Sequence, residues 1–193
     1  MLATIRQTVG TALSAEHAHL LRTTFEPLHL EKGDFFPYRN ETDYQIAFVR
    51  SGLLRGYFKV RNREVTYLFI RENALCTTYQ NIAEQSPDPI PATEEDTIQA
   101  LEPTDLWITS MDRFYRLANE SPTFERYVSF RLISRYAEMA ERVRSFCILR
   151  ASERYERLVR QQPDLIQRVP QYHIASFLGI TPESLSRLRK QTV

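Results

Sequence analysis

"IASFLGITPESLSRLRK", residues 174–190, sets two short helical patterns on either side of a glycine. Ile174, Ala175, Leu178, Ile180, Leu185 and Leu188 fall at inward spacings. Ala175 is small where two helices cross closely, and Gly179 stands where the chain must turn with positive φ. Thr181 is a good N-cap, and Pro182 suits the first helical position because its missing N–H is not needed there. The spacing therefore predicts a helix-turn-helix. With Leu185 and Leu188 inward, Glu183, Ser186, Arg187 and Lys190 share the outer face. Arg187 has the geometry to reach guanine O6 and N7, and Glu183 to accept from cytosine N4. Thr181 at the helix start, Arg189 and Lys190 suit phosphates. The alternative is a packed helical hairpin whose outer face is merely solvated.

Upstream, Phe124, Val128, Leu132, Tyr136, Met139, Val143 and Phe146 recur at steps of four and three, predicting one long helix over about 119–147. Its stripe can pack on the rest of the chain or pair with the same helix of a second copy. "ASERYERLVRQQPDLI" adds a helix expected to end at Pro163. Before residue 118 the texture differs. "LHLEKGDFF", "YQIAFVRSGLLRGYFKV", "EVTYLFI", "TIQALE" and "DLWITS" read as short strands without intervening helices, with turns at 50–52 and 61–63. That order predicts an antiparallel roll or barrel. Near the start, Ser14 caps a short helix, and "EQSPDPIPATEED" is a loop. The expected division is a roll over 1–118, the long helix over 119–147 and the helix-turn-helix domain over 148–193, an α+β chain.

The net charge of +1 hides an asymmetry: −4 over residues 1–118 and +5 over 119–193. A basic C-terminal part suits a polyanion, although it also suits a solvated helical surface. No apolar run approaches the roughly 18 residues of a membrane span, and the N-terminus lacks a signal peptide's pattern, so a cytoplasmic protein without membrane contact is expected. Cys76 and Cys147 have no CxxC spacing and read as reduced thiols.

"LEKGDFF" and "FVRSGLLRGYF" resemble the start of a cyclic-nucleotide-binding-type β-roll, a double-stranded β-helix. With the long helix and "VPQYHIASFLGITPESLSRLRK", nearly the whole chain resembles the Crp/Fnr family of bacterial transcription regulators. The resemblance implies a sensor roll, a dimerisation helix using Phe124, Val128, Leu132, Tyr136, Met139 and Val143, and a DNA-reading domain. It further implies a homodimer on palindromic double-stranded DNA, an effector that repositions the reading helices, and RNA polymerase as a further partner. The family's recognition helix carries an Arg-Glu pair and an Arg four residues after the Glu. Glu183 and Arg187 match; Pro182 replaces the first Arg. The sequence ends at Val193, before the wing strands that follow the recognition helix in some members.

Cyclic-nucleotide-binding members hold the phosphate with a Gly-Glu start, an Arg and a small hydroxyl residue. The matching segment, "ENALCTTYQNIAEQSPDPIPATEEDTIQA", has no Gly-Glu and no arginine, and no Lys or Arg occurs between Arg71 and Arg113. A phosphate there would meet carboxylates, so cyclic AMP is not expected to bind. The iron–sulfur cysteine set is missing, His17 and His19 point to different helix faces, and His29 and His173 stand alone. Neither cofactor nor metal is expected. A small organic effector could be lined by Phe48, Tyr57, Phe58, Tyr67, Phe69, Tyr79 and Trp107, although such aromatics are commonly just core. Other readings are a cupin-like enzyme, which needs more His on strands than His29 supplies, and a module that docks a small molecule or protein without DNA. No catalytic residue is expected.

Overall fold

The computed structural model describes residues 1–36, 45–61, 63–78 and 95–191. Two short helices, α1 (Leu2–Val9) and α2 (Ala15–Thr24), lead into strands β1 (Glu26–Leu30), β2 (Gln45–Ser51), β3 (Leu54–Val60), β4 (Arg63–Ile70), β5 (Leu75–Cys76), β6 (Glu95–Ala100) and β7 (Thr104–Ser110). The strands form two antiparallel sheets in the orders β1-β7-β2-β5 and β4-β3-β6. Their inner faces close over Leu30, Val49, Leu54, Ile70, Ile98 and Leu106. This is the expected roll, and its strands alternate or run apolar as sheets covered on both faces require.

Three helices frame the roll differently from the expectation. α1 was not anticipated, and "MDRFYRLANE" forms α3 (Met111–Glu120) directly after β7. Ser110 caps α3 by accepting from the Arg113 amide, and Met111, Phe114 and Leu117 bury its inner stripe. The long helix, α4 (Pro122–Ile148), then starts afresh with Ser121 as N-cap and Pro122 in its first turn. Phe124 and Tyr127 are fully buried in a cluster with Ile5, Val9, Leu21 and Phe114. Phe124, expected on the dimer stripe, is therefore core. The first turns of α4 face α1 and α3, which the expectation had not supplied as a covering.

Beyond that anchored end the helix emerges. Leu132, Ile133, Tyr136 and Val143 are more than half exposed, whereas Val128 and Met139 turn back toward the roll. The remaining helices are α5 (Ala151–Gln161), α6 (Pro163–Arg168), α7 (Gln171–Leu178) and α8 (Pro182–Gln191). Pro163 does not simply end α5: Gln162 is the break, and Pro163 opens α6. Tyr155, Leu158, Leu165, Ile174, Ala175 and Leu185 pack with Leu53, Phe69 and Leu101 of the roll, so the C-terminal helices share a core with the strands. Among the described residues, no helix is long and apolar enough to cross a membrane.

Candidate nucleic-acid interface

The turn between α7 and α8 is built as its residues dictate. Gly179 has φ +70°, and the Ile180 amide donates 3.0 Å back to the Ala175 carbonyl, closing the end of α7. A second constraint was invisible in sequence. A Cβ on Gly179 would sit 2.8 Å from the Phe146 ring, so the last turn of α4 presses against the turn itself. Arg142 and Arg154 stack near Phe146, at 4.9 and 4.6 Å from its centroid. Their guanidiniums donate to the Phe177 carbonyl at 2.9 Å and the Leu178 carbonyl at 3.0 Å, satisfying the exposed end of α7. Burial and the neighbouring Arg154 push the Arg142 guanidinium down to about 10. Gly179→Ala combines left-handed strain with this contact. It is expected to cost about 2 kcal/mol in urea unfolding.

Thr181 begins α8 as expected, its hydroxyl accepting from the Ser184 amide at 3.3 Å. Leu185 is buried, Ile180 and Leu188 half-buried, and Thr181, Glu183, Ser186, Arg187, Arg189 and Lys190 are all exposed. A backbone amide at the helix start, then the Thr181 hydroxyl and the nearby Arg187, hold the Glu183 carboxyl below its ordinary range. Among the described residues, Arg187 has one hydrogen bond, donated to the Ser184 hydroxyl at 3.2 Å. These exposed residues thus offer one carboxylate, two hydroxyls and three cations to whatever meets them.

That face is held in orientation by contacts between α7 and the roll. The Ser176 hydroxyl accepts from the Thr66 amide at 2.9 Å and donates to the Glu64 carbonyl at 3.1 Å, bridging α7 to β4. Arg55, almost wholly buried on β3, donates to Glu64 at 2.7 Å, Gln99 at 3.0 Å and Nδ1 of His173 on α7. Arg168 on α6 grips Glu72 at 2.7 Å and Glu102 at 2.6 Å. None of these partners was identified in the sequence. They lie 9 to 118 residues apart, and only the fold brings them together.

Burial and Arg55 push the His173 imidazole down to about 4. The folded chain therefore holds it neutral, while the unfolded chain takes up a proton below the ordinary value near 6.5. Stability is expected to fall as pH drops from 6.5 toward 4, by on the order of 3 kcal/mol from this group. Urea unfolding at both ends of that window checks it, with His173→Gln losing less than the native chain.

The aromatics expected to line a pocket do not converge. Phe48 and Tyr57 are buried, Phe69 packs on Phe177 of α7 with centroids 5.0 Å apart, and Trp107 sits against the N-terminal helical cluster. Phe58 stacks on Tyr67 at 4.5 Å. Tyr79 lies outside the described residues. Tyr67 lines a cavity formed between the roll and α4. The register explains it: Gly56 pairs with Leu68 but Tyr57 with Thr66, leaving Tyr67 as the extra residue of a β-bulge. Among the described residues, no group of three or more His, Cys, Asp and Glu could hold a metal ion. His29 donates or accepts at 2.8 Å with Asp105 and lies 3.4 Å from Glu31, an exposed cluster on the roll.

No family model and no curated protein matches the chain. Solved structures do. A mutant of CooA from Carboxydothermus hydrogenoformans is 20% identical, with 89% of this chain and 77% of that one covered at a TM-score of 0.68. A putative transcriptional regulator of the Crp/Fnr family from Eubacterium rectale is 18% identical, covering 93% and 83% at 0.69. The c-di-GMP-responsive global regulator CLP of Xanthomonas campestris is 14% identical, covering 93% and 91% at 0.67. At these identities the likeness is one of fold: the chain has the roll, long helix and helical C-terminal domain of these regulators.

Proposed function

We propose that the chain is a sequence-specific DNA-binding transcription regulator that acts as a homodimer on a palindromic site. The observation that carries this reading is the outer face of α8, where Glu183, Ser186, Arg187 and Lys190 stand exposed while the inner face alone accounts for packing. In this reading Arg187 and Glu183 read base edges, and Thr181, Arg189 and Lys190 hold phosphates. The exposed run of Leu132, Tyr136 and Val143 supplies the dimer seam, with Ile133 beside it. Two-fold pairing along α4 sets two recognition helices about one turn of DNA apart.

The signal enters through the roll, and cyclic AMP is not that signal. The matching cassette carries acidic residues and no cation. Selection of bound duplexes from a random pool tests the reading directly. A recovered palindrome supports it, and the absence of any enriched sequence counts against it. Salt separates it from a protein-docking module, because phosphate contacts release counterions and make affinity fall steeply with salt.

A further inference from the structure

Between the roll and α4 lies a cavity of about 470 Å³, within the size range of small-molecule sites. Ile70, Leu75 and Cys76 form its roll side, Met111 and Phe114 its floor on α3, and Val128, Leu132 and Met139 its wall on α4. Aliphatic and thioether groups predominate, a lining that adapts to a flexible chain more readily than to a flat ring.

Several polar groups at this cavity already have protein partners. The Tyr67 hydroxyl donates to Asp96 at 3.0 Å. The Thr77 hydroxyl donates to the Gln45 carbonyl at 2.9 Å. Arg135 pairs with Glu138 at 2.9 Å. Burial pushes the Cys76 thiol up to about 12, so it stands there as a neutral apolar wall. Arg131 differs. It lines the cavity on the α4 side, and among the described residues it makes no ion pair. An apolar chamber with one uncompensated cation favours an amphipathic monoanion. It does not favour a nucleotide, whose phosphate, sugar and base would each need free polar partners.

We propose that this cavity binds a medium-chain aliphatic monocarboxylate, with the chain among Leu75, Val128 and Met139 and the carboxylate on Arg131. Binding itself does not depend on the DNA reading. A regulatory role does rest on it, through Leu132, which belongs both to the cavity wall and to the exposed seam of α4.

The test is calorimetric titration of the full chain with the fatty-acid series from hexanoate to tetradecanoate, with decanamide and cyclic AMP alongside. At least one acid of middle length should saturate one site per chain, the amide should bind about tenfold more weakly or worse, and cyclic AMP should give no saturable heat. Arg131→Gln is expected to bring the acid down to the amide and to leave the amide unchanged. Val128→Trp, checked for a native melting transition, should abolish both by filling the chamber. The proposal is overturned if no acid saturates the folded protein, if acid and amide bind alike, or if Arg131→Gln changes nothing. Should Val128→Trp not fold, Arg131→Gln, a change at a half-buried position outside the core clusters, decides alone. Duplex selection on the same preparation keeps the two readings apart. A palindrome without acid binding sinks only the cavity, and acid binding without an enriched sequence sinks only the DNA reading.

Discussion

Tyr136→Glu combined with Val143→Glu is expected to leave a folded monomer whose affinity for the selected palindrome is lower by about two to four orders of magnitude. The two residues lie seven apart on α4 and share a face, and they are 76% and 64% exposed. Neither belongs to any of the three core clusters formed by the described residues. Their replacement therefore removes little from the folded protomer, and the melting temperature should stay within a few degrees once the monomer is the reference state. Paired with a second α4, the same glutamates would place four carboxylates in a narrow apolar seam, where like charges repel and cannot be solvated. Once the dimer is lost, the second half-site is no longer an intramolecular event, which is the source of the affinity loss. Sedimentation measures the mass, and fluorescence anisotropy on the duplex measures the affinity. A wild-type protein that sediments as a monomer at micromolar concentration, or a double variant that still dimerises, would remove α4 from this role.

The parts of the molecule legible in sequence are those whose causes are local. Gly179, Thr181 and Pro182 act within one turn of their own backbone, so the helix pair could be placed to within a residue or two. The alternating strands of the roll were legible for the same reason, and so was the body of α4. What escaped detection depends on partners far along the chain. The stripe through α4 mixes several environments. Phe124 serves the N-terminal cluster, Val128 and Met139 face the cavity, and Phe146 supports the turn at Gly179, leaving only its middle and later positions for an outside partner. Periodicity marks a residue as apolar and cannot say what covers it. A single bulge, which no local pattern announces, places Tyr67 at the cavity by changing which face the residues of β4 present. Nothing in the local sequence marks Arg55, and only the arrival of α7 makes it a buried anchor.

Arg187→Ala is expected to weaken binding at the selected site by roughly 1–3 kcal/mol and to relax base preference at the one position it reads. The side chain has little internal work to lose: among the described residues its one hydrogen bond goes to the half-buried Ser184 hydroxyl, worth about 0.5 kcal/mol or less near the surface. Thermal stability should therefore be nearly unchanged, which isolates the effect to the DNA. Lys190 lies one position short of a full turn further along the same face, and its expected signature is different. Lys190→Ala should weaken all duplexes alike and lower the slope of log affinity against log salt by about one. Glu183→Gln removes the carboxylate that α8 holds ionised at its start and should shift preference at the base beside Arg187 rather than weaken binding uniformly. Repeating the duplex selection with each variant separates base readers from phosphate holders. If Arg187→Ala recovers the native sequence with native affinity, the outer face of α8 is not the reading surface. The helix-turn-helix would then be only the packed end of a roll.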